Sequence, residues 1–268
     1  MFDTFLDRWH LVPDGTPITT PRSRLLPVRL AGTPAMLKIA VEAEERRGAD
    51  VMIWWAGDGA ARVLAYEGDA LLLERALGSG SLATMARHGR DDEATRIICQ
   101  VAARLHARSH PPDRLQAQLV PLSRWFAQLE PAAARHGGVL VDSAAVAREL
   151  LETSTDIIVL HGDLHHGNIL DAEDRGWLAI DPKGLLGERA FDFANIFCNP
   201  DSDVATAPGR LAKQVRVVAS AANLNRERLL RWVLAYAGLS AAWSLDEDGD
   251  PTLALAVAER ARCELASS

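Results

Sequence analysis

Ten residues, HGDLHHGNIL at positions 161–170, bring together three histidines, one aspartate and one asparagine. Residues of these types serve either as a zinc-ligand cluster or as the loop of a phosphotransfer site. The overlapping stretch NILDAEDRGWLAID has an Asp- and Gly-rich middle between two apolar runs and predicts a β-hairpin. With the midpoint between Asp174 and Arg175, a simple register sets Asn168 opposite Asp181 at the open end and leaves Asp163 in the loop entering it. Two acids and an amide at one edge suit Mg2+, a hard cation that takes carboxylate and amide oxygens together with substrate phosphates. Asn168 and Asp181 fit as ligands. Asp163 fits as the group that orients an attacking hydroxyl and takes its proton, help worth roughly 10² to 10⁴ in rate.

Far upstream, Lys38 interrupts the apolar strand PAMLKIA, and a buried lysine needs an anionic partner. A glutamate on the following helix, with nucleotide phosphates, would supply one. Strand lysine, helix glutamate, loop Asp-x₄-Asn and strand-end Asp occur in the order of a kinase-like phosphotransferase. Zinc ligation by His161, Asp163, His165 and His166 is the competing reading, but the spacing is not HExxH, and it leaves Lys38, Asn168 and Asp181 unexplained. Taken singly, Lys38 is an edge-strand lysine, Ser23 a loop serine and Glu45 a solvated helix residue. His161 and His165 read as structural, His166 as exposed, and Asp192 as a structural acceptor for backbone amides of the loop.

These residues need elements to position them. LLPVRLAGTPAMLKIA and ARVLAYEGDALLLERA each read as two strands around a turn, with EAEERRGADVMIWWA between them as a helix despite Gly48. After GSGS at 78–81 the pattern turns helical: DDEATRIICQVAARLHAR, capped at Asp91 or Asp92, then DSAAVARELLETS, NRERLLRWVLAYAGLSAAW and LALAVAERARCELA. The plan is a small β-rich lobe, a Gly/Ser connector and a larger helical lobe carrying one hairpin, with a ligand between the lobes. At 268 residues, 48% of them apolar, the chain has ample core. A net charge of −7 argues against nucleic acid as the main partner. The longest apolar-looking run, WVLAYAGLSAAW, is too short to span a bilayer, and the N-terminal residues show no basic segment followed by an apolar run. Cys99, Cys198 and Cys263 are far apart and odd in number, as reduced thiols of a cytoplasmic protein are.

LHGDLHHGNIL followed by WLAIDP resembles the aminoglycoside phosphotransferases and their small-molecule kinase relatives. With PAMLKIA, RGWLAIDPKGLLGERAFDFANIF and LLRWVLAYAGLSAAW, the likeness covers most of the chain and is closest to the streptomycin 6-phosphotransferase group. The resemblance implies a bilobal protein-kinase-like α+β fold, with a nucleotide-binding lobe at 1–75 and a catalytic, substrate-binding helical lobe at 76–268. It implies a monomeric, ATP- and Mg2+-dependent kinase that acts on the 6-hydroxyl of streptidine and confers antibiotic resistance. Other acceptors of the same fold are hydroxyurea, a sugar or a choline-like compound. Asp163 then resembles the catalytic base, Asn168 and Asp181 the metal ligands, and Lys38 the phosphate-contacting lysine, with Glu45 (Glu44 the alternative) as its partner. Backbone groups around Glu74 and Ala76 resemble the adenine-binding hinge, and Ser23 lies at the nucleotide-phosphate loop. Guanidinium groups suit bidentate carboxylates, which makes Glu188 and the acids of DEDGD, Asp246 and Glu247, candidate substrate contacts. No GxGxxG is present, so phosphate cradling falls to other groups, and DPKG is one residue longer than the Asp-Phe-Gly of protein kinases.

Overall fold

The computed structural model describes residues 2–267. Its N-terminal part comprises α1 (Asp3–Arg8), β1 (Leu11–Pro13), β2 (Ile18–Thr19), β3 (Ser23–Leu30), β4 (Thr33–Ala40), α2 (Ala43–Trp55), β5 (Val63–Glu67) and β6 (Ala70–Glu74). The strands form one antiparallel sheet in the order β1-β3-β4-β6-β5, with β2 alongside β3. Both expected hairpins form. β3 and β4 join through Ala31 and Gly32, both at positive φ, the conformation a two-residue hairpin loop requires.

Side-chain alternation sorts β4 into two faces. Ala35, Leu37 and Ile39 enter a small core with Leu26, Val28 and Leu72, covered by Phe5 and Trp9. Lys38 faces the other way, toward α2, where Val51, Met52 and Trp55 belong to the large core shared with the helical part. The lysine therefore interrupts an apolar sequence without interrupting an apolar face.

The remainder comprises α3 (Leu82–Met85), α4 (Asp91–Ala107), α5 (Asp113–Gln116), β7 (Val120–Pro121), α6 (Leu122–Trp125), α7 (Leu129–His136), α8 (Val139–Glu152), β8 (Ile157–Leu160), β9 (Ile169–Asp171), β10 (Trp177–Ala179), β11 (Leu185–Glu188), α9 (Ser202–Ala205), α10 (Arg210–Ala222), α11 (Arg226–Asp246) and α12 (Thr252–Ala266). β9 and β10 form the expected hairpin; β11, which had no sequence expectation, lies between β7 and β8. An aromatic series runs under the interlobe space: Phe126–Phe191 (5.7 Å), Phe191–Tyr236 (5.9 Å), Tyr236–Trp243 (6.4 Å) and Trp243–Trp125 (5.3 Å). Edge-on pairs of this kind add to the burial of each ring and hold α11 against the 3₁₀ segment Arg189–Cys198. No helix among the described residues is long and apolar enough to cross a membrane.

Neither Asp91 nor Asp92 caps α4; Arg90 occupies that position and makes no side-chain cap bond. Asp91 is drawn instead to Arg210 (2.8 Å) and Gln214 (2.6 Å) on α10. Burial alone would raise its carboxyl, but the nearby His166 ring and the hydrogen bonds and charge of Arg210 outweigh it and hold the pKa at about 2. A folded-state pKa below the ordinary value means that ionised Asp91 favours the folded state. That stability is complete above about pH 4 and is lost as pH falls through about 2. Chemical denaturation between those limits should show wild type losing on the order of 2 kcal/mol more than Asp91→Asn; equal losses would remove this pair from the acid response.

Candidate active site

The loop after β8 is held from beneath. Asp192 accepts hydrogen bonds from the backbone N–H groups of His161 (2.9 Å) and Gly162 (2.6 Å) and contacts His106 Nε2 at 2.8 Å. Burial works against the Asp192 charge, yet these donors outweigh it and keep its pKa below the usual carboxylate value. His161 is fully buried; burial lowers its pKa, leaving a neutral ring. Its Nε2 donates to Ile180 O (2.8 Å), its Nδ1 accepts from Asp163 N–H (3.2 Å), and the ring stacks on Trp55 of α2. His165 Nδ1 accepts from Gly167 N–H at 3.0 Å. Asp192, His161 and His165 are thus structural, as their positions predicted. His166 is buried rather than exposed, because its ring turns inward toward Asp91 (3.8 Å).

Above this support, Asp163 is gripped through both oxygens. Oδ1 accepts from Asn195 Nδ2 (2.8 Å), and Oδ2 from Asn168 Nδ2 (3.2 Å). Asn199 Nδ2 donates to Asn195 Oδ1 at 2.9 Å, which orients that amide with its nitrogen toward Asp163. Asn195 carries no signal in the sequence, where an asparagine inside FDFANIF looks like a defect in an apolar run; only the fold shows that it faces the loop.

The hairpin register differs by one residue from the symmetric expectation. Ile169 pairs with Ala179, and Ile180 N–H donates to Asn168 O (2.9 Å), so Asn168 lies opposite Ile180. The 3₁₀ turn Glu173–Arg175 closes the loop by bonding Ala172 N–H to Gly176 O, which centres it on Asp174. Asp181 follows just beyond the ladder at φ 59, a left-handed conformation that Asp tolerates better than most side chains. That twist brings its carboxylate to Lys38, with Oδ1 2.7 Å from Nζ.

Lys38 also pairs closely with Glu45, which settles the choice between the two helix glutamates. Burial disfavours the lysine charge, but Asp181 and Glu45 outweigh it and raise its pKa above the ordinary value. Asn168 spends its amide nitrogen on Asp163 O and Oδ2, leaving Oδ1 without a hydrogen bond among the described residues. An amide oxygen beside a half-exposed carboxylate is a donor set that fits Mg2+ completed by phosphates and water. Zinc fares worse: among the described residues no three His, Cys, Asp or Glu side chains are placed to hold a metal ion.

A cavity of about 950 Å³ opens between the lobes over Gly162 and Asp163. Its charged lining includes Arg22, Arg47, Arg124 and Lys183 as well as Glu44, Asp163 and Glu247, and Trp125, Tyr236 and Trp243 supply aromatic walls.

A family model described as aminoglycoside/hydroxyurea antibiotic resistance kinase matches residues 8–249. The chain belongs to this family. It is 52% identical over 248 residues to a streptomycin 3''-kinase of Klebsiella pneumoniae, covering 90% of this chain and 91% of that one. It is 33% identical over 267 residues to a streptomycin 6-kinase of Streptomyces glaucescens, covering 94% and 84%. Among solved structures, a thermostable mutant of aminoglycoside phosphotransferase APH(4)-Ia, in ternary complex with ADP and hygromycin B, superposes with a TM-score of 0.68 at 13% identity over 99% of this chain and 98% of that one. The bilobal kinase-like α+β fold is therefore shared.

Several expected positions in this resistance kinase fall elsewhere. Glu188 is buried, and Arg228 grips it through Nε at 2.6 Å and Nη2 at 2.5 Å. It is a structural ion pair away from the cleft, because β11 carries it toward α11 rather than toward the hairpin edge. Asp246 lines a separate recess of about 140 Å³, whereas Glu247, one residue on, lines the main cavity. Ser23 is the buried first residue of β3 rather than a loop residue, and its Oγ donates to Glu45 Oε2 (3.1 Å). Glu74 is already engaged, its N–H with Arg62 O (2.9 Å) and its carboxylate with Arg62 N–H and Arg175. At Ala76 the backbone groups have no hydrogen-bond partner among the described residues.

Gly48, a weak point in the helix pattern, marks where α2 meets the Asp181 segment: a β-carbon there would overlap the carbonyl oxygen of Pro182. Gly48→Ala gains helix propensity of roughly 0.5–1 kcal/mol, but overpacking costs about 1–3 kcal/mol. A lower melting temperature with at least tenfold lower turnover is expected; a variant more stable than wild type and fully active would refute the close approach.

Proposed function

We propose that the chain transfers the γ-phosphoryl group of ATP to a hydroxyl of streptomycin, with Mg2+ held by Asn168 and Asp181. One observation carries this reading: Asp163, Asn168, Asp181 and the Lys38–Glu45 pair, scattered over 144 positions of sequence, converge in one cluster, and Asp163 joins that cluster to the interlobe cavity. Asp163, fixed by Asn195 and Asn168, orients the acceptor hydroxyl and receives its proton. Lys38 holds the donor phosphates, Ala76 offers its free backbone groups to the adenine edge, and bound Mg2+ supplies charge neutralisation. Ser23 acts on the phosphates indirectly, by steadying Glu45. Positioning and electrostatics then account for most of the rate, as in other phosphoryl transfers.

The cavity supports a large acceptor. Pockets of roughly 300–1,000 Å³ enclose drug-sized ligands, and hydroxyurea, with only five heavy atoms, would leave most of this space to water. Trp125 and Trp243 line it with aromatic surface suited to a guanidinium, and Glu247 offers a carboxylate. Phosphorylation adds about −1.5 to −2 charges to a cation that must bind ribosomal RNA, which is how it would confer resistance.

The acceptor position is the finer question. Sequence resemblance led to the 6-hydroxyl of streptidine, whereas 52% identity to a 3''-kinase, against 33% to a 6-kinase, supports the 3''-hydroxyl on the amino-sugar end. Fragment mass spectrometry of streptomycin after incubation with enzyme, ATP and Mg2+ decides it. One phosphate on the amino-sugar fragment is expected. A phosphate on streptidine would move the acceptor to the 6-hydroxyl, and phosphorylation of hydroxyurea alone would overturn the substrate.

A further inference from the structure

Two buried lysines flank Glu45, and they are bound differently. Lys38 is committed to Glu45 Oε2 and, by a hydrogen bond of 2.7 Å, to Asp181. Lys183 Nζ lies 3.2 Å from Glu44 Oε1, 3.8 Å from Glu45 Oε1 and 3.7 Å from Asp163 Oδ2. It is ion-paired with these three carboxylates but makes no well-aligned hydrogen bond to any of them, although only 10% of the side chain is exposed. A buried ammonium has three donors to satisfy, and leaving them unpaired is costly. Here they face the same cavity as Asp163.

The root of Lys183 is fixed. Its N–H donates to His161 O (2.7 Å), the preceding Pro182 lies under Gly48, and Gly184 follows at φ 67 against Arg47. The side chain can therefore leave Glu44 for a stronger anion while its origin stays between α2 and the catalytic loop.

We propose that Lys183 is a further catalytic residue, whose ammonium contacts the γ-phosphoryl group during transfer. This rests on the phosphotransfer reading above, not on the identity of the acceptor. A hydroxyl bonded to Asp163 has its target phosphorus about 3–3.5 Å away at the point of attack. A cation 3.7 Å from the same carboxylate, on the cavity side, is within reach of the equatorial phosphoryl oxygens. With no glycine-rich phosphate loop in the sequence, charge at that position falls to side chains. As the acceptor oxygen–phosphorus bond forms, the bond from phosphorus to the β-bridging oxygen breaks and its electron pair leaves with ADP. The hydroxyl proton passes to Asp163, and Lys183 takes no part in the proton transfer. Glu45 spaces the two lysines, Lys38 on the donor side and Lys183 over the reacting group.

Lys183→Met and Lys183→Arg test this, with ADP and the non-hydrolysable analogue AMP-PNP, each with Mg2+, as binding probes and no acceptor present. Lys183→Met is expected to melt within a few degrees of wild type and to bind ADP as wild type does. It should lose the preference of wild type for AMP-PNP over ADP, and its kcat should fall roughly 10²–10³-fold. Lys183→Arg should regain part of both. An unchanged AMP-PNP preference in Lys183→Met, no such preference in wild type, or a kcat within threefold of wild type would each overturn the proposal. The binding arm is read without streptomycin, so failure of the substrate assignment leaves it intact.

Discussion

Asp163→Asn should cut turnover by roughly 10²–10⁴-fold, the share that a positioned acid–base group supplies, while nucleotide affinity stays within about threefold of wild type. The amide cannot take the acceptor's proton. It also meets a mismatch, since Asn195 Nδ2, Asn168 Nδ2 and Lys183 all present donors or positive charge to the Asp163 oxygens. An asparagine must turn its own N–H₂ toward one of them, so a small loss of melting temperature accompanies the loss of rate. Steady-state kinetics with a nucleotide titration measure both. A variant retaining near-normal turnover would remove Asp163 from the chemistry.

Asp181→Asn should be at least as damaging, by a different route. Asparagine tolerates the left-handed backbone at this position, so the change isolates the carboxylate. One hard ligand for Mg2+ weakens and Lys38 loses the charge of its 2.7 Å partner, while its pair with Glu45 remains. Charge stabilisation by a bound metal is worth several kcal/mol, or roughly 10³-fold in rate. The two variants separate in a Mg2+ titration: raising Mg2+ should recover part of the Asp181→Asn loss and none of the Asp163→Asn loss. Equal insensitivity of both would mean that Asp181 does not serve the metal. Crossed in this way, the experiments divide the site into a proton-handling half and a metal-binding half.

Much of this machinery was legible from residue types. HGDLHHGNIL, a lysine within an apolar strand and an aspartate at a strand end name a phosphotransfer site, because few other functions call for those groups in that order. Hairpins and helices were readable for the related reason that turn residues and apolar periodicity act over a few positions. Register was less accessible. Symmetry placed Asn168 opposite Asp181, but the 3₁₀ turn recentres the loop, and the positive φ of Asp181, rather than strand pairing, aims its carboxylate.

What the linear order determined, then, is the chemistry: which carboxylates, which amide and which lysine are available, and the local elements that carry them. Tertiary structure alone decided which of them meet. Glu45 rather than Glu44 pairs with Lys38, Glu188 is spent on Arg228, Asn195 and Lys183 reach Asp163, and Gly48 permits the approach of α2 to Pro182. Those contacts join residues as many as 143 positions apart. Their geometry is set by how one packed surface seats on another, and local propensity carries no information about that.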